Sequence, residues 1–392
     1  AMNLMASTLF LIGVAILYGV TGTLNMADMA IMVPTIPQDD RGLLHAGAAV
    51  LAVAFLVKAA AWPLDFWLPS TYASASAPVA ALFAIMTKLG AYAVLRVWTL
   101  LFPQDAGVSA LFGGPVLIGL GLATLAFGAI GVLATQHLGR MVAFCAILSS
   151  GTLLAALGFG QPAVTGGALY YTLGSTLAIS AFFLLAELIE RAREVEEQPL
   201  YVSDTEPDDA FAYPVDLMPT RDVNLDDDEQ ALIGRAIPAA MAFMGLAFIV
   251  CGLTIAGLPP FAGFVGKVVM LSALLNPAGF GQDAQVSLAA WALLALLVAG
   301  GLLTTIALSR AGVRYFWAPA GRPVPRLRFI ETLPIGVLLL LVGVLVWQAD
   351  AVLRYVNATA RGLHDPKEYI GTVVSTRPVP SPTATGEGGL RR

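Results

Sequence analysis

The chain has 392 residues, of which 58% are hydrophobic and only 12% charged. Soluble domains carry about 25% charged residues, so the composition excludes a soluble globular protein and fits an all-α polytopic membrane protein. The formal net charge of −5 argues against nucleic acid as a partner. The two cysteines, Cys145 and Cys251, stand alone in apolar stretches, with no CxxC pair and no His/Cys metal cluster, so no cofactor is expected.

A membrane-spanning helix needs ~20 predominantly apolar residues. The first stretch, AMNLMASTLFLIGVAILYGV, has no basic leader and no small-residue cleavage site, which argues against a signal peptide. It reads as a span entered part-way, as in a fragment missing an N-terminal portion. In chain order the predicted spans are 3–26, 43–68, 76–102, 113–134, 140–159, 163–189, 237–274, 286–309 and 329–353, about nine in all. The stretch 237–274 is too long for one straight span, and Pro259-Pro260 cut it into a broken helix. A second break is expected near Pro63–Pro69. The segment 190–235 is acidic and proline-bearing, and reads as a solvated, partly disordered loop. Its DVNLDDDE lacks the glycine and ligand spacing of a calcium loop. From about Gly371 the chain is low in complexity and reads as a flexible tail.

Alternating loops gather Arg140, Arg191, Arg193, Arg221, Arg235, Arg310, Arg314, Arg322, Arg326 and Arg328 on one side of the membrane. The positive-inside rule makes that side cytoplasmic. The basic tail, with Arg361, Lys367, Arg377, Arg391 and Arg392, pulls the other way.

Three lysines lie inside predicted spans. Lys58 is in LAVAFLVKAAAWPLDFWLP, Lys88 in APVAALFAIMTKLGAYAVL and Lys267 in GLPPFAGFVGKVVMLSALL. A charge at bilayer depth costs at least ~2.5–3.5 kcal/mol, so such a residue normally faces protein or water and has a function. Proline breaks beside Lys58 and Lys267 free carbonyls that can hold ions or water. Burial brings the charged and neutral forms of an ammonium closer in energy, which suits a lysine to carrying protons. The bland alternative is snorkelling to a helix end, but Lys58 and Lys88 are both well inside their segments. Thr87, Ser149, Ser150, Thr152, Ser175, Thr176 and His45 could line a path between the lysines, or simply join helices. Arg96 and Glu187 stand near helix ends and could reach headgroups. Asp28 reads as a boundary residue. Asp65 is a possible partner for Lys58, or an interfacial residue beside Trp62 and Trp67. The glycine-spaced GLGLATLAFGAIG sits within a span and reads as close helix packing.

LVKAAAWPLDFWLPSTYASASAPVAALFAIMTKLGAYAVLRV closely resembles the central signature of the proton-translocating, antiporter-like membrane subunits. These occur in multisubunit (Mrp-type) cation/proton antiporters and in respiratory complex I. GLPPFAGFVGKVVMLSALL is similar to the second broken helix of that family. LYGVTGTLNMADMA, with the acidic loop before IPAAMAFMGLAFIVCGLTIAGLPP, points to the D subunits of the antiporters. The resemblance implies a fourteen-span fold of two inverted five-helix repeats, each with a broken helix. It implies that 1–103 is the C-terminal part of the first repeat, 104–189 the start of the second and 190–236 the acidic loop. The second repeat then continues with its broken helix over 237–312, a basic loop and last span follow over 313–356, and 357–392 is a flexible tail.

The same resemblance makes Lys58 the central lysine of the first broken helix, Lys88 a link between half-channels and Lys267 the terminal lysine of the relay. It implies an upstream glutamate partner for Lys58, to which nothing in this chain corresponds, and a histidine where Gly174 stands, a gap that water or Ser175 would fill. The function it implies is exchange of sodium or potassium for protons, with other antiporter subunits as partners in a hetero-oligomer, in the inner cell membrane. A proton-pumping subunit of a redox complex and an inert membrane scaffold are the alternatives.

Overall fold

A computed structural model describes residues 2–197, 239–277, 285–316 and 327–376. Most of the acidic loop and the end of the tail, as well as much of the basic loop, lie outside these residues. Among the described residues the secondary structure is entirely helical, and nine helices are long and apolar enough to cross a membrane. This agrees with the all-α polytopic fold expected.

The helices are α1 (Met2–Thr21), α2 (Met26–Met32), α3 (Gln38–Lys58), α4 (Leu68–Ser74), α5 (Ala77–Leu101), α6 (Gly114–Ala134) and α7 (Leu138–Gly158). They continue as α8 (Pro162–Glu197), α9 (Ala239–Ala256), α10 (Ala262–Leu275), α11 (Leu288–Phe316), α12 (Phe329–Trp347), α13 (Ala349–His364) and α14 (Lys367–Ser375).

Both breaks are present, but the first begins earlier than Pro63. Helix α3 ends at Lys58 and α4 starts at Leu68. Pro63 has no N–H for the carbonyl four residues back, at Ala59, so the helix stops there. Ala60 takes a φ of 54° in the resulting turn. The second break separates Ala256 from Ala262, with Gly257 at φ 78°, a conformation that favours glycine.

The span expected over 3–26 ends at Thr21. Gly22 adopts a left-handed φ of 71° and donates its N–H to the Tyr18 carbonyl at 2.7 Å, as helix-terminating glycines do. Asn25 then starts α2 by accepting the Ala27 N–H on its side chain at 2.9 Å. The span expected over 329–353 also ends early, at Trp347. Residues 349–364 form the separate helix α13, whose Val356 and Ala360 are buried while Asp350, Arg354 and Arg361 are exposed. That two-faced pattern suits a helix lying across the others rather than one spanning lipid. The flexible tail expected from residue 357 is therefore corrected through residue 375, where α13 and α14 continue.

Helix α7 is the centre of the molecule, with 89% of its apolar window buried. It packs against α6 through glycines, as expected for the glycine-spaced segment. A Cβ on Gly128 would lie 2.5 Å from the Leu148 nitrogen, and one on Gly158 2.8 Å from the Ile118 nitrogen. Helices α8 and α10 meet in the same way, with Gly266 against the Tyr171 backbone and Gly167 against Met270.

One end of the bundle is stitched by charged side chains onto helix termini. Glu187 accepts the Ala77 N–H at the start of α5 at 2.8 Å, and Glu190 accepts the Gly139 N–H at the start of α7 at 3.3 Å. Arg310 and Arg314 of α11 donate to the Leu133 and Gln136 carbonyls at the end of α6 and just after it, at 3.1 and 3.3 Å. Arg191 forms a two-pronged ion pair with Glu331 at 3.0 and 2.6 Å, tying α8 to α12. Anions at N-termini and cations at C-termini both suit the helix dipole. The headgroup role expected for Glu187 is thus corrected, because the carboxylate turns inward to a free amide. Arg96 is corrected too, since its guanidinium stacks on Tyr369 of α14 with 4.2 Å to the ring centre.

We expect Glu187→Ala to leave the Ala77 amide unpartnered and cost about 1–2 kcal/mol, as capping losses do. Thermal unfolding followed by tryptophan fluorescence checks this, and an unchanged midpoint would refute the cap.

Candidate functional site

The sequence places the three lysines at helix breaks or mid-span, and the structure gives each a different setting. Lys58 is the last residue of α3 and is exposed. It opens onto a cleft of about 610 Å³ lined by residues of α1, α3, α4 and α5, among them Asn3, Trp67 and Tyr72. Its ammonium donates to the side-chain oxygen of Asn3. Gly90 of α5 lets that helix press onto the backbone here: a Cβ at this position would lie 2.9 Å from the Lys58 carbonyl carbon.

Lys88, on α5, is only 5% exposed. Its Nζ lies 3.5 Å from the Ala146 carbonyl of α7, at the limit of a hydrogen bond. Lys267, on α10, is 6% exposed and donates to the Ala256 carbonyl at 2.7 Å. Ala256 is the last residue of α9, so the ammonium sits on the negative end of the preceding half-helix. Gly257 makes this reach possible, since a Cβ there would lie 2.5 Å from the lysine nitrogen. Among the described residues no carboxylate forms an ion pair with any of the three lysines.

The polar residues expected along a path divide into those near α7 and α8 and those elsewhere. Ser149 donates to Ser175 at 3.1 Å, joining α7 and α8 in the buried centre. Ser150 is fully buried with its hydroxyl unpartnered, and Thr152 bonds back to the Leu148 carbonyl at 3.0 Å. Thr87 turns to the Ala84 carbonyl at 2.9 Å and Thr176 to the Thr172 carbonyl at 2.6 Å. His45 is not drawn to the lysines. Its Nε2 lies 3.0 Å from the Ser109 hydroxyl, which also receives Arg41, and its ring stacks on Phe112. Gly174 is a packing position: a Cβ would approach that of Ala262 to 2.9 Å, leaving no room for an imidazole. Ser175, beside it, is the polar group present.

Asp65 forms no ion pair with Lys58, and its side chain is buried, 1% exposed, rather than turned outward to headgroups. Two contacts escaped the sequence. Asn3 is the one amide side chain in a mostly apolar helix, which is a usable signal. The Ala256 carbonyl carries no signal at all, because only the break makes it available.

The comparisons with known proteins agree on the family. The family model described as "NADH:quinone oxidoreductase/Mrp antiporter, TM" matches residues 1–203. The chain is 44% identical to the probable K(+)/H(+) antiporter D subunit of Rhizobium meliloti (strain 1021), covering 96% of this chain and 67% of that protein. It is 30% identical to the Na(+)/H(+) antiporter D subunit of Bacillus subtilis (strain 168), over 95% of this chain and 66% of that one. It thus spans about two thirds of these relatives' length. Its fold matches a chain of the Mrp complex from Dietzia sp. DQ12-45-1b, with a TM-score of 0.73 at 22% identity, covering 95% of this chain and 68% of that one. A chain of the membrane-bound sulfane sulfur reductase, an archaeal respiratory membrane complex, gives 0.72 at 20% identity, covering 95% and 66%. The chain belongs to the NADH:quinone oxidoreductase/Mrp antiporter transmembrane family.

Proposed function

We propose that this chain is the proton-translocating part of a hetero-oligomeric monovalent-cation/proton antiporter, with Lys58, Lys88 and Lys267 as its proton-carrying groups. The observation that carries the reading is the pair of buried ammoniums, Lys88 on the Ala146 carbonyl of α7 and Lys267 on the Ala256 carbonyl of α9, with no carboxylate partner among the described residues. An uncompensated buried cation is held only at a cost. Backbone carbonyls and the negative end of α9 steady the charged form without locking it. Such a group alternates between charged and neutral as neighbouring charges come and go.

The chemistry is transport rather than bond-making catalysis. Partners on this reading are the other subunits of the antiporter, the lipid of the inner cell membrane, protons, and sodium or potassium. One relative is named for potassium and another for sodium, so names alone leave either cation as cargo. A second reading, a proton-pumping subunit of a redox complex, rests on 29% identity to the NADH-quinone oxidoreductase N subunit of Desulforudis audaxviator (strain MP104C), over 87% of this chain and 61% of that protein. The antiporter relative is more similar over more of the chain, which favours antiport. The test is exchange in vesicles containing the assembled complex. An imposed sodium or potassium gradient should drive proton movement without any redox substrate. Proton movement that follows only quinone reduction would replace this reading with the second.

A further inference from the structure

Asp65 has no part in the lysine relay described above. It lies in the first helix break, 1% exposed, and its Oδ2 is buried without a hydrogen-bond partner. Two positions along, the indole nitrogen of Trp67 is also buried and unpartnered. The carbonyls of Lys58, Ala59 and Ala60, in the same break, accept no hydrogen bond among the described residues. An unpartnered carboxylate oxygen and three backbone carbonyls free of hydrogen bonds therefore belong to the same helix break.

No charged neighbour accounts for the carboxylate. On α3, Lys58 is engaged by Asn3. On α4, the Tyr72 hydroxyl donates to the Phe83 carbonyl at 2.7 Å. On α5, Lys88 faces Ala146, Tyr92 is exposed and Arg96 stacks on Tyr369. Helix α6 touches the break through Thr124, which accepts the Trp62 N–H at 2.8 Å, and carries no titratable residue. On α7, Arg140 is exposed and Cys145 is a buried free thiol. Helix α8 reaches α4 through Phe183, and its Glu187 and Glu190 cap other helices.

An ionised carboxylate so buried, with one oxygen unpartnered and no cation beside it, is costly by several kcal/mol. It must hold either a proton or a cation. One carboxylate balances one charge, which selects a monovalent ion over calcium, whose sites gather six to eight oxygens and several carboxylates. Free carbonyls at the unwound part of a broken helix are the oxygens alkali cations use. We propose that Asp65, with the free carbonyls of the first break, forms a site where one alkali-metal cation and one proton compete. Cation entry breaks the carboxyl O–H bond and releases that proton; cation departure lets the proton return. The proposal deepens the antiport reading and rests on it for its role in transport, while binding itself is measured independently.

The experiment uses the purified, assembled complex in weak buffer with a pH-sensitive dye. Sodium chloride, potassium chloride or choline chloride is added, and released protons are counted, because cation binding to a protonated ligand must release them. With sodium or potassium the wild type should release up to about one proton per chain more than Asp65→Asn, and choline should release none. Equal release from wild type and Asp65→Asn overturns the site, as does no alkali-dependent release from the wild type. If Asp65→Asn does not assemble, Asp65→Glu carries the test. Its longer carboxylate should shift the half-saturating cation concentration, and an unshifted value overturns the site. Release that is lost in Asp65→Asn, from a wild-type complex that fails to exchange ions in vesicles, upholds the site and removes the antiport reading instead.

Discussion

Lys267→Ala, in the assembled complex, should reduce cation/proton exchange by ~10²–10⁴-fold, the usual contribution of a positioned proton-transfer group. The ammonium donates to the Ala256 carbonyl at the end of α9, and a glycine beside it clears its approach. Removing it leaves that carbonyl unpartnered, a loss of about 1–3 kcal/mol, which a bundle of this size survives. Assembly should therefore persist, and size-exclusion chromatography checks it. Lys267→Arg separates the two meanings of the residue. Arginine keeps the charge but cannot be deprotonated in a protein. If Lys267 carries protons, the arginine variant fails like the alanine one. Wild-type exchange in Lys267→Arg would mean that a fixed charge suffices and that the proton path lies elsewhere. Lys58→Ala should also abolish exchange with normal expression, even though Lys58 is the exposed member, because its ammonium opens directly onto a cleft through which protons can arrive.

Much of this is legible in the residues themselves. Apolar runs of the right length locate the spans, and prolines beside lysines locate both breaks, because span length and proline chemistry are local properties. The ends are less legible. Gly22 and Gln348 divide stretches that hydropathy alone reads as continuous, since a turn needs one residue in an unusual conformation, not a change in polarity. Glu187 and Arg96 show why charge near a helix end is ambiguous. Whether such a side chain meets lipid headgroups or a neighbouring helix terminus depends on which helix packs alongside, and that is a long-range fact. His45 is an attractive proton carrier by residue type, yet its helix places it against Ser109 and Phe112. The lysines are legible as unusual, but the carbonyl that each buried one meets is not. It depends on how α5 packs beside α7 and on where α9 ends before α10.

The glycines between α6 and α7 should be among the least substitutable positions in the fold. A Cβ on Gly121 would lie 2.6 Å from the Ala155 Cα, and one on Gly151 would lie 2.7 Å from the Leu125 Cα. Real side-chain carbons do not approach backbone so closely, and backbone cannot yield as a flexible side chain can. In a membrane, helices associate through such close contact and interhelical hydrogen bonds rather than through the hydrophobic effect. Forcing them apart costs that packing directly, about 1–3 kcal/mol for one added group and more for a branched one. Gly121→Val should therefore destabilise the chain by at least that range and deplete the assembled complex. The consequence reaches the site, because α7 carries the Ala146 carbonyl faced by Lys88. Gly119, two residues away on the same helix, has open space at its Cβ, so Gly119→Val is the matched control and should assemble normally. Thermal melting of the purified complex, together with its yield, compares the two. Equal stability of Gly121→Val and Gly119→Val would mean that α6 and α7 do not depend on glycine contact, and the packing account of the central helix would fail with it.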